Sequence, residues 1–274
     1  MSIEVIKKHG FQFNKKFGQN FIFDTNLLNA IVDDAGINNT TTVLEIGCGA
    51  GTLTKQIAAK AKRVVGYEID TNLKPLLRET LNGVENAEIV FKDVMSEKTS
   101  DIEEKLGDDY VIIANLPYYI TTPIIFKFLE EAKRLKRLVI MVQLEVAERL
   151  TAAENTANYG AITAQIKYRA NVKITRIVKR NMFTPAPNVD SAVVRIDFVK
   201  KYDIANEKLL NDLIKAAFQM RRKTLANNLK SSLKLTTEQI TTLFEKLNLS
   251  PSVRGEALEI EQFVDLSNLI NEIK

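Results

Sequence analysis

The sequence predicts an α/β fold, a parallel sheet alternating with helices, followed by a small all-helical unit. Three observations carry this. Short apolar runs of strand length, such as Thr42–Ile46 and Tyr110–Ala114, alternate with segments of helical period through the first two thirds of the chain. The Tyr110–Ala114 run is apolar without interruption, as expected of a strand buried on both faces of a parallel sheet. From about Lys200 only helical spacings remain, as in Leu209, Leu213, Ala216 and Ala217.

A chain of 274 residues, 45% hydrophobic and 26% charged, suffices for one large or two ordinary domains with a sizeable core. One cysteine and one histidine, His9, exclude an internal disulfide framework and argue against a structural zinc site. That composition suits a reducing cytoplasm. Apolar runs such as Ile124–Leu129 and Leu138–Val142 are too short to cross a bilayer, and the first ten residues lack the apolar core of a secretory signal. Nothing in the pattern signals oligomerisation, so a cytoplasmic monomer without a membrane partner is expected.

In chain order, Lys7, Lys8, Lys15 and Lys16 precede Phe17-Gly18-Gln19-Asn20-Phe21, a basic stretch leading into a loop suited to folding over something flat. Asp24 caps a helix to about Ala35, with Leu27, Leu28, Ile31 and Val32 on one face, and Gly36 ends it. The Thr42–Ile46 strand runs into Gly47-Cys48-Gly49-Ala50-Gly51 and a helix to about Lys60. Glycines there let backbone approach a ligand, and the helix start offers unpaired N–H groups. A second strand, Arg63 to Tyr67, ends in Glu68, 17 residues after Gly51, where a carboxylate can accept both hydroxyls of a ribose. The Gly-x-Gly-x-Gly spacing departs from the dinucleotide fingerprint and weakens an NAD reading. A third strand, about Ala87 to Lys92, ends in Asp93, which could accept from an adenine amino group.

The fourth strand ends in Asn115-Leu116-Pro117-Tyr118. Function in such sheets gathers at the carboxyl ends of strands. An amide oxygen, a carbonyl stiffened by the following proline and an exposed aromatic ring can accept both hydrogens of an exocyclic amine while stacking on its ring. Alkylation of an adenine N6 requires that combination.

A helix of about 122–135 and a strand of about 137–142 continue the alternation. Helices follow over about 144–153 and 159–168, then a strand pair over about 172–178 and 192–198. Between those strands lies Phe183-Thr184-Pro185-Ala186-Pro187, whose prolines should hold Phe183 outward. Helices are expected over about 206–220, 222–233, 237–247 and 260–273, with a domain boundary near 200. Two stretches are one-signed. Asn155 to Val189 holds six basic residues and no acid, and so does Leu213 to Thr237. Such blocks in a chain of net charge +4 suggest a polyanionic partner.

Six stretches together resemble the ordered motifs of the ribosomal RNA adenine dimethylases, most closely the KsgA branch. They are Gln19-Asn20-Phe21, Glu45-Ile46-Gly47-Cys48-Gly49-Ala50-Gly51, Glu68-Ile69-Asp70, Asn115-Leu116-Pro117-Tyr118, Phe183-Thr184-Pro185-Ala186-Pro187 with Val189-Asp190-Ser191-Ala192-Val193, and Arg221-Arg222-Lys223-Thr224-Leu225. The resemblance implies a Rossmann-like, seven-stranded S-adenosylmethionine methyltransferase sheet over residues 1–199 and a helical RNA-binding domain over 200–274. It implies S-adenosylmethionine contacts at Asn20, Ile22, Gly47, Gly49, Glu68, Ile69, Asp93 and Asn115. Target-base contacts fall on Leu116, Tyr118 and Phe183, with Asn115 shared. Arg221, Arg222 and Lys223 are expected on RNA phosphates. The implied reaction places four methyls on the N6 atoms of two neighbouring adenosines near the 3′ end of small-subunit rRNA, coupled to maturation of an immature small ribosomal subunit. Two residues depart from the common pattern, Cys48 where relatives often have proline and Tyr119 where many have asparagine.

Rival readings are an Erm-type large-subunit rRNA methylase, a DNA adenine methylase, an RNA-binding assembly factor with methylation secondary, and an NAD dehydrogenase. The alanine-proline loop, the Val189-Asp190-Ser191-Ala192 continuation and the basic stretch from Arg221 to Leu229 favour the small-subunit branch over the Erm enzymes.

Overall fold

The computed structural model describes residues 18–273; Lys7, Lys8, His9, Lys15, Lys16 and Phe17 lie outside them. The described strands are β1 (Phe21–Ile22), β2 (Thr42–Ile46), β3 (Arg63–Glu68), β4 (Ala87–Phe91), β5 (Tyr110–Asn115), β6 (Leu135–Gln143), β7 (Ala170–Val178), β8 (Phe183–Thr184) and β9 (Ser191–Phe198). The helices are α1 (Thr25–Ala35), α2 (Thr52–Ala58), α3 (Lys74–Thr80), α4 (Thr99–Leu106), α5 (Thr121–Glu131), α6 (Leu144–Leu150), α7 (Ala161–Lys167), α8 (Glu207–Gln219), α9 (Leu225–Leu233), α10 (Thr237–Lys246) and α11 (Ile260–Glu272).

Seven strands form one sheet in the order β4-β3-β2-β5-β6-β9-β7, and β1 pairs separately with β8. β2 to β6 run parallel and β9 lies antiparallel to β6. The register aligns Leu44 with Val65 on one side and Ile112 on the other, so the uninterrupted apolar runs lie at the sheet centre. On one face, Val43, Ile113 and Val139 pack against Leu28, Ile31 and Val32 of α1 and Leu53 and Ile57 of α2. Burying each such side chain contributes about 1.5–3 kcal/mol.

α1 shows how local chemistry sets an element's ends. Asp24 Oδ1 accepts the Leu27 N–H at 2.8 Å, and Gly36 closes the helix in the left-handed region at φ 58°. Its last carbonyls, which no helix can satisfy internally, are taken by arginines from the sheet. Arg137 donates to Ala35 O at 2.5 Å and Arg195 to Asp34 O at 3.0 Å, while Arg176 forms a two-pronged pair with the Asp34 carboxylate. Burial alone would raise the Asp34 carboxyl; the Arg176 and Thr175 hydrogen bonds overcome this and hold it below its ordinary value.

Two compact units emerge, one of residues up to Ala147 with Lys173–Phe198, the other of Glu148–Val172 with residues from Val199 onward. This differs from the single boundary expected near 200. Tyr159, Ala164 and Tyr168 are buried in the same apolar cluster as Leu210, Leu213, Leu229 and Phe263, and the Tyr168 hydroxyl donates to Asn211 Oδ1 at 3.0 Å. Their side chains belong to the helical core although the strands that flank their segment, β6 and β7, belong to the sheet. The helix expected from 222 begins at Leu225 instead, because Thr224 accepts the Asn227 N–H and becomes its cap.

Candidate functional site

The carboxyl ends of β2, β3 and β5, with the turn after β4, open into one cleft of the first unit. Residues 18–22 close over it as a strap pinned at four places. Ile22 pairs with Phe183 and Phe21 with Thr184 across β1 and β8. Thr52 Oγ1 donates to Ile22 O at 2.9 Å, Asn115 Nδ2 donates to Asn20 O at 3.1 Å, and Gln19 Nε2 donates to Asp70 Oδ2 at 2.8 Å. The Gln19-Asn20-Phe21 motif therefore forms one wall of the cleft, with Asn20 partly exposed on it and Ile22 buried.

Under the strap lies the glycine turn. Gly47 and Gly49 both have positive φ, and a Cβ on Gly49 would stand 2.9 Å from Phe21 Cε1. The absent side chain is what lets the Phe21 ring lie on the turn. Gly49→Ala should cost about 1–2 kcal/mol from the left-handed backbone alone and also push the ring off. The expected result is at least a tenfold loss of cofactor affinity by calorimetric titration, with a lowered unfolding temperature; wild-type affinity in this variant would remove the turn from the binding surface.

Glu68 is buried at the end of β3, its carboxylate accepting Gly49 N–H and Asp70 N–H, both at 2.8 Å. Burial pushes this carboxyl up, and those amide donors pull it partly back. Ile69 beside it is 46% exposed, an apolar side chain left on the cleft rim. Asp93 is exposed, with Oδ1 taken by Met95 N–H at 2.9 Å and Oδ2 without a partner among the described residues. Glu45, in the middle of the β2 core run, also lines the cleft at 1% exposure. Sequence reasoning assigned it no role, although an acid inside a strand of core residues is itself a signal. Among the described residues, the charged ones lining the cleft are Glu45, Glu68, Asp93 and Lys92, and Lys92 Nζ is paired with Glu97 at 3.3 Å.

At the end of β5 the Asn115 amide is oriented by its bond to the strap. With Nδ2 spent on Asn20 O, Oδ1 remains an acceptor without a partner among the described residues, as does the Leu116 carbonyl. Tyr118 is half-buried on the cleft wall, its hydroxyl 2.8 Å from Ser191 Oγ. Burial raises that hydroxyl above its ordinary value. The exposed ring of this loop is the next residue, Tyr119, at 61%.

Phe183 corrects an expectation. It is 4% exposed, not held outward: pairing of β8 with β1 turns its ring into the cluster of Ile22, Leu28, Ile31 and Met141. It reaches the cleft as part of the wall. Ser191, unassigned at the level of sequence, joins the site through Tyr118. Cys48 is buried 3.7 Å from Tyr67 O, and Gly66 makes room for it, since a Cβ there would stand 2.4 Å from Cys48 Sγ.

The basic residues divide similarly. Of the six in the first block, Lys167, Arg169, Arg176 and Lys179 are paired with Glu154, Glu207, Asp34 and Asp190. In the helical unit Arg221 donates to the carbonyls of Ala157 and Tyr159 and lies 3.6 Å from Glu256. Arg222, Lys223, Lys230 and Lys234 are exposed and join no ion pair among the described residues.

The strand order, the glycine turn and an acid at each of the next two strand ends define an S-adenosylmethionine-dependent methyltransferase. The family of ribosomal RNA adenine dimethylases matches residues 10–272. The chain is 42% identical to the ribosomal RNA small subunit methyltransferase A of Geobacillus thermodenitrificans, over 97% of this chain and 94% of that protein. It is 41% identical to the protein of the same name from Clostridioides difficile, over 98% and 94%. Among solved structures it resembles a dimethyladenosine transferase from Plasmodium falciparum, with a TM-score of 0.77 and 26% identity over 92% of this chain and 98% of that one. It also shares the fold of the 23S rRNA methyltransferase ErmE, with a TM-score of 0.72 and 24% identity over 92% of this chain and 100% of that one. The chain belongs to the ribosomal RNA adenine dimethylase family. Among the described residues no helix is long and apolar enough to cross a membrane.

Proposed function

We propose that this chain transfers methyl groups to the N6 atoms of two adjacent adenosines near the 3′ end of small-subunit rRNA, acting as a cytoplasmic monomer on an immature small ribosomal subunit. The observation that carries this reading is the pair of acceptors, Asn115 Oδ1 and Leu116 O, at the end of β5 beside Tyr118. The cleft next to them favours a cationic cofactor, since among the described residues that line it three carboxyl groups face one lysine, itself paired with Glu97. A pyrophosphate would meet no arginine among the residues that line it, which argues against NAD.

Glu68 is placed to accept ribose hydroxyls, Asp93 Oδ2 to accept an adenine amino group, Ile69 to pack on the adenine, and Gly47, Gly49, Asn20 and Ile22 to enclose the remainder. When bound, S-adenosylmethionine supplies an electrophilic methyl on its sulfonium sulfur. Asn115 Oδ1 and Leu116 O accept the two N6 hydrogens, draw the nitrogen lone pair out of conjugation and aim it along the transfer axis. No strong base is needed before attack, because the proton leaves after the nitrogen has become cationic. Positioning and fixed dipoles carry most of the acceleration. Extruding the base costs a few kcal/mol, and stacking on Tyr118 returns about 1–3 kcal/mol. Phe183 serves as wall rather than as a second stacking face.

The direct test supplies the protein with S-adenosylmethionine and small subunits from cells lacking it, then digests the RNA for mass spectrometry. N6,N6-dimethyladenosine at two adjacent positions near the 3′ end is expected; methylation confined to large-subunit RNA, or none, overturns the reading. For RNA binding, Arg222 and Lys223 are better placed than Arg221. Replacing either with alanine should flatten the dependence of log affinity on log salt by about 0.7–0.9. Arg221→Ala should instead lower the unfolding temperature of the helical unit with little change in slope, because its guanidinium is engaged by Ala157 and Tyr159.

A further inference from the structure

Tyr119 has no task in the chemistry above, yet no other aromatic side chain is exposed among the described residues. Its position is fixed by the chain around it. Ile120 N–H donates to Pro117 O at 3.1 Å, which makes Tyr118 and Tyr119 the two central residues of one tight turn. Thr121 Oγ1 donates to the same carbonyl at 3.3 Å and ties the turn to the start of α5. The two rings then part. Tyr118 is half-buried with its hydroxyl on Ser191, whereas Tyr119 lines the outer edge of the same cleft with most of its side chain in solvent. One edge of the outer ring is backed by the strap, since a Cβ built on Gly18 would lie 3.7 Å from both Tyr119 Cδ1 and Cε1.

We propose that Tyr119 is a stacking platform for the nucleotide next to the target base, so that the two tyrosines of one turn hold two consecutive bases, the target inside the cleft and its neighbour at the mouth. The proposal rests on the adenosine-pair reading given above. Extruding the target strips its neighbour of a stacking partner, and an aromatic ring can take the vacated place whatever the base. A platform fixed in the fold lies on one side of the target only. The other adenosine of the pair therefore rests on it during transfer to one of the two, and a nucleotide flanking the pair does so during transfer to the other. Stacking of this kind holds substrate and transition state alike, so it acts on KM rather than on kcat.

The experiment measures methyl transfer at saturating S-adenosylmethionine to small subunits from cells lacking the protein, with the natural adenosine pair or with uridine at either of its two positions. On the natural pair Tyr119→Ala should raise KM by about 5- to 150-fold with kcat little changed, and Tyr119→Phe should stay within about twofold of wild type. The alanine penalty should differ between the two uridine-bearing subunits, being at least about twofold smaller where the pyrimidine, with its smaller face, lies on the platform. An unchanged KM in Tyr119→Ala, a phenylalanine variant as poor as alanine, or equal penalties on the two uridine-bearing subunits overturns the proposal. So does a weakened affinity of Tyr119→Ala for S-adenosylmethionine in calorimetric titration, which would mark the ring as a prop for the strap. No transfer to the natural pair by the wild type would instead remove the proposed function, and this platform with it.

Discussion

Asn115→Ala is expected to slow methyl transfer by about a hundred- to a thousandfold, the scale of loss when one preorganised polar contact to a developing charge is removed. Two features of the residue act together. Its Oδ1 is an acceptor without a partner among the described residues, and its Nδ2 holds the strap through Asn20 O. Asn115→Asp separates them, because it keeps an acceptor but turns a carboxylate oxygen toward the Asn20 carbonyl. Both variants should therefore slow transfer and loosen cofactor binding through the freed strap, the aspartate variant losing more affinity because its charge repels the Asn20 carbonyl. Single-turnover methyl transfer at saturating cofactor measures the first and calorimetric titration the second. An alanine variant within tenfold of wild type would end the assignment of Asn115 as the amine-orienting acceptor.

Tyr118→Ala comes next in size. Loss of about 1–3 kcal/mol of base stacking corresponds to roughly 5- to 150-fold in turnover, and affinity for S-adenosylmethionine should change by less than about twofold, since the proposed nucleoside pocket lies at β2, β3 and β4. Tyr118→Phe discriminates ring from hydroxyl. The hydroxyl meets Ser191, and burial holds its proton in place. Phenylalanine should thus keep most of the rate, at a stability cost of about 1 kcal/mol from the Ser191 hydroxyl left unpaired in the interior. If the alanine variant turned over normally, or the phenylalanine variant were as slow as alanine, the tyrosine would not be acting through its ring.

Elements with a strong local signal were legible before the fold. Asp24 and Gly36 bound α1 as expected, because a carboxylate over free N–H groups and a residue without Cβ at positive φ are local requirements. The uninterrupted run Tyr110–Ala114 lies in a central strand for the same kind of reason. Two short helices, α3 and α4, went unrecognised, having few apolar positions to set a period. The boundary near 200 was half the story, since the aromatic residues Tyr159 and Tyr168 serve a core made by chain more than forty residues away. Within the site, Glu68, Asp93 and Asn115 could be picked out because strand ends are where a parallel sheet gathers ligands.

The sequence by itself determined the class of chemistry: a glycine turn, acids at two successive strand ends and an asparagine-proline-tyrosine turn at a third are residue types in a local order. Only the tertiary structure decided which side chains were left with work to do. Arg176 and Arg221 were spent on Asp34 and on backbone carbonyls, Phe183 was drawn into the wall by its pairing with β1, and Glu45 was buried in the cleft wall. Periodicity and capping are written within a few residues, whereas burial and pairing depend on groups far apart in the chain, such as Asn20 with Asn115 or Tyr118 with Ser191, that only folding brings within hydrogen-bond reach.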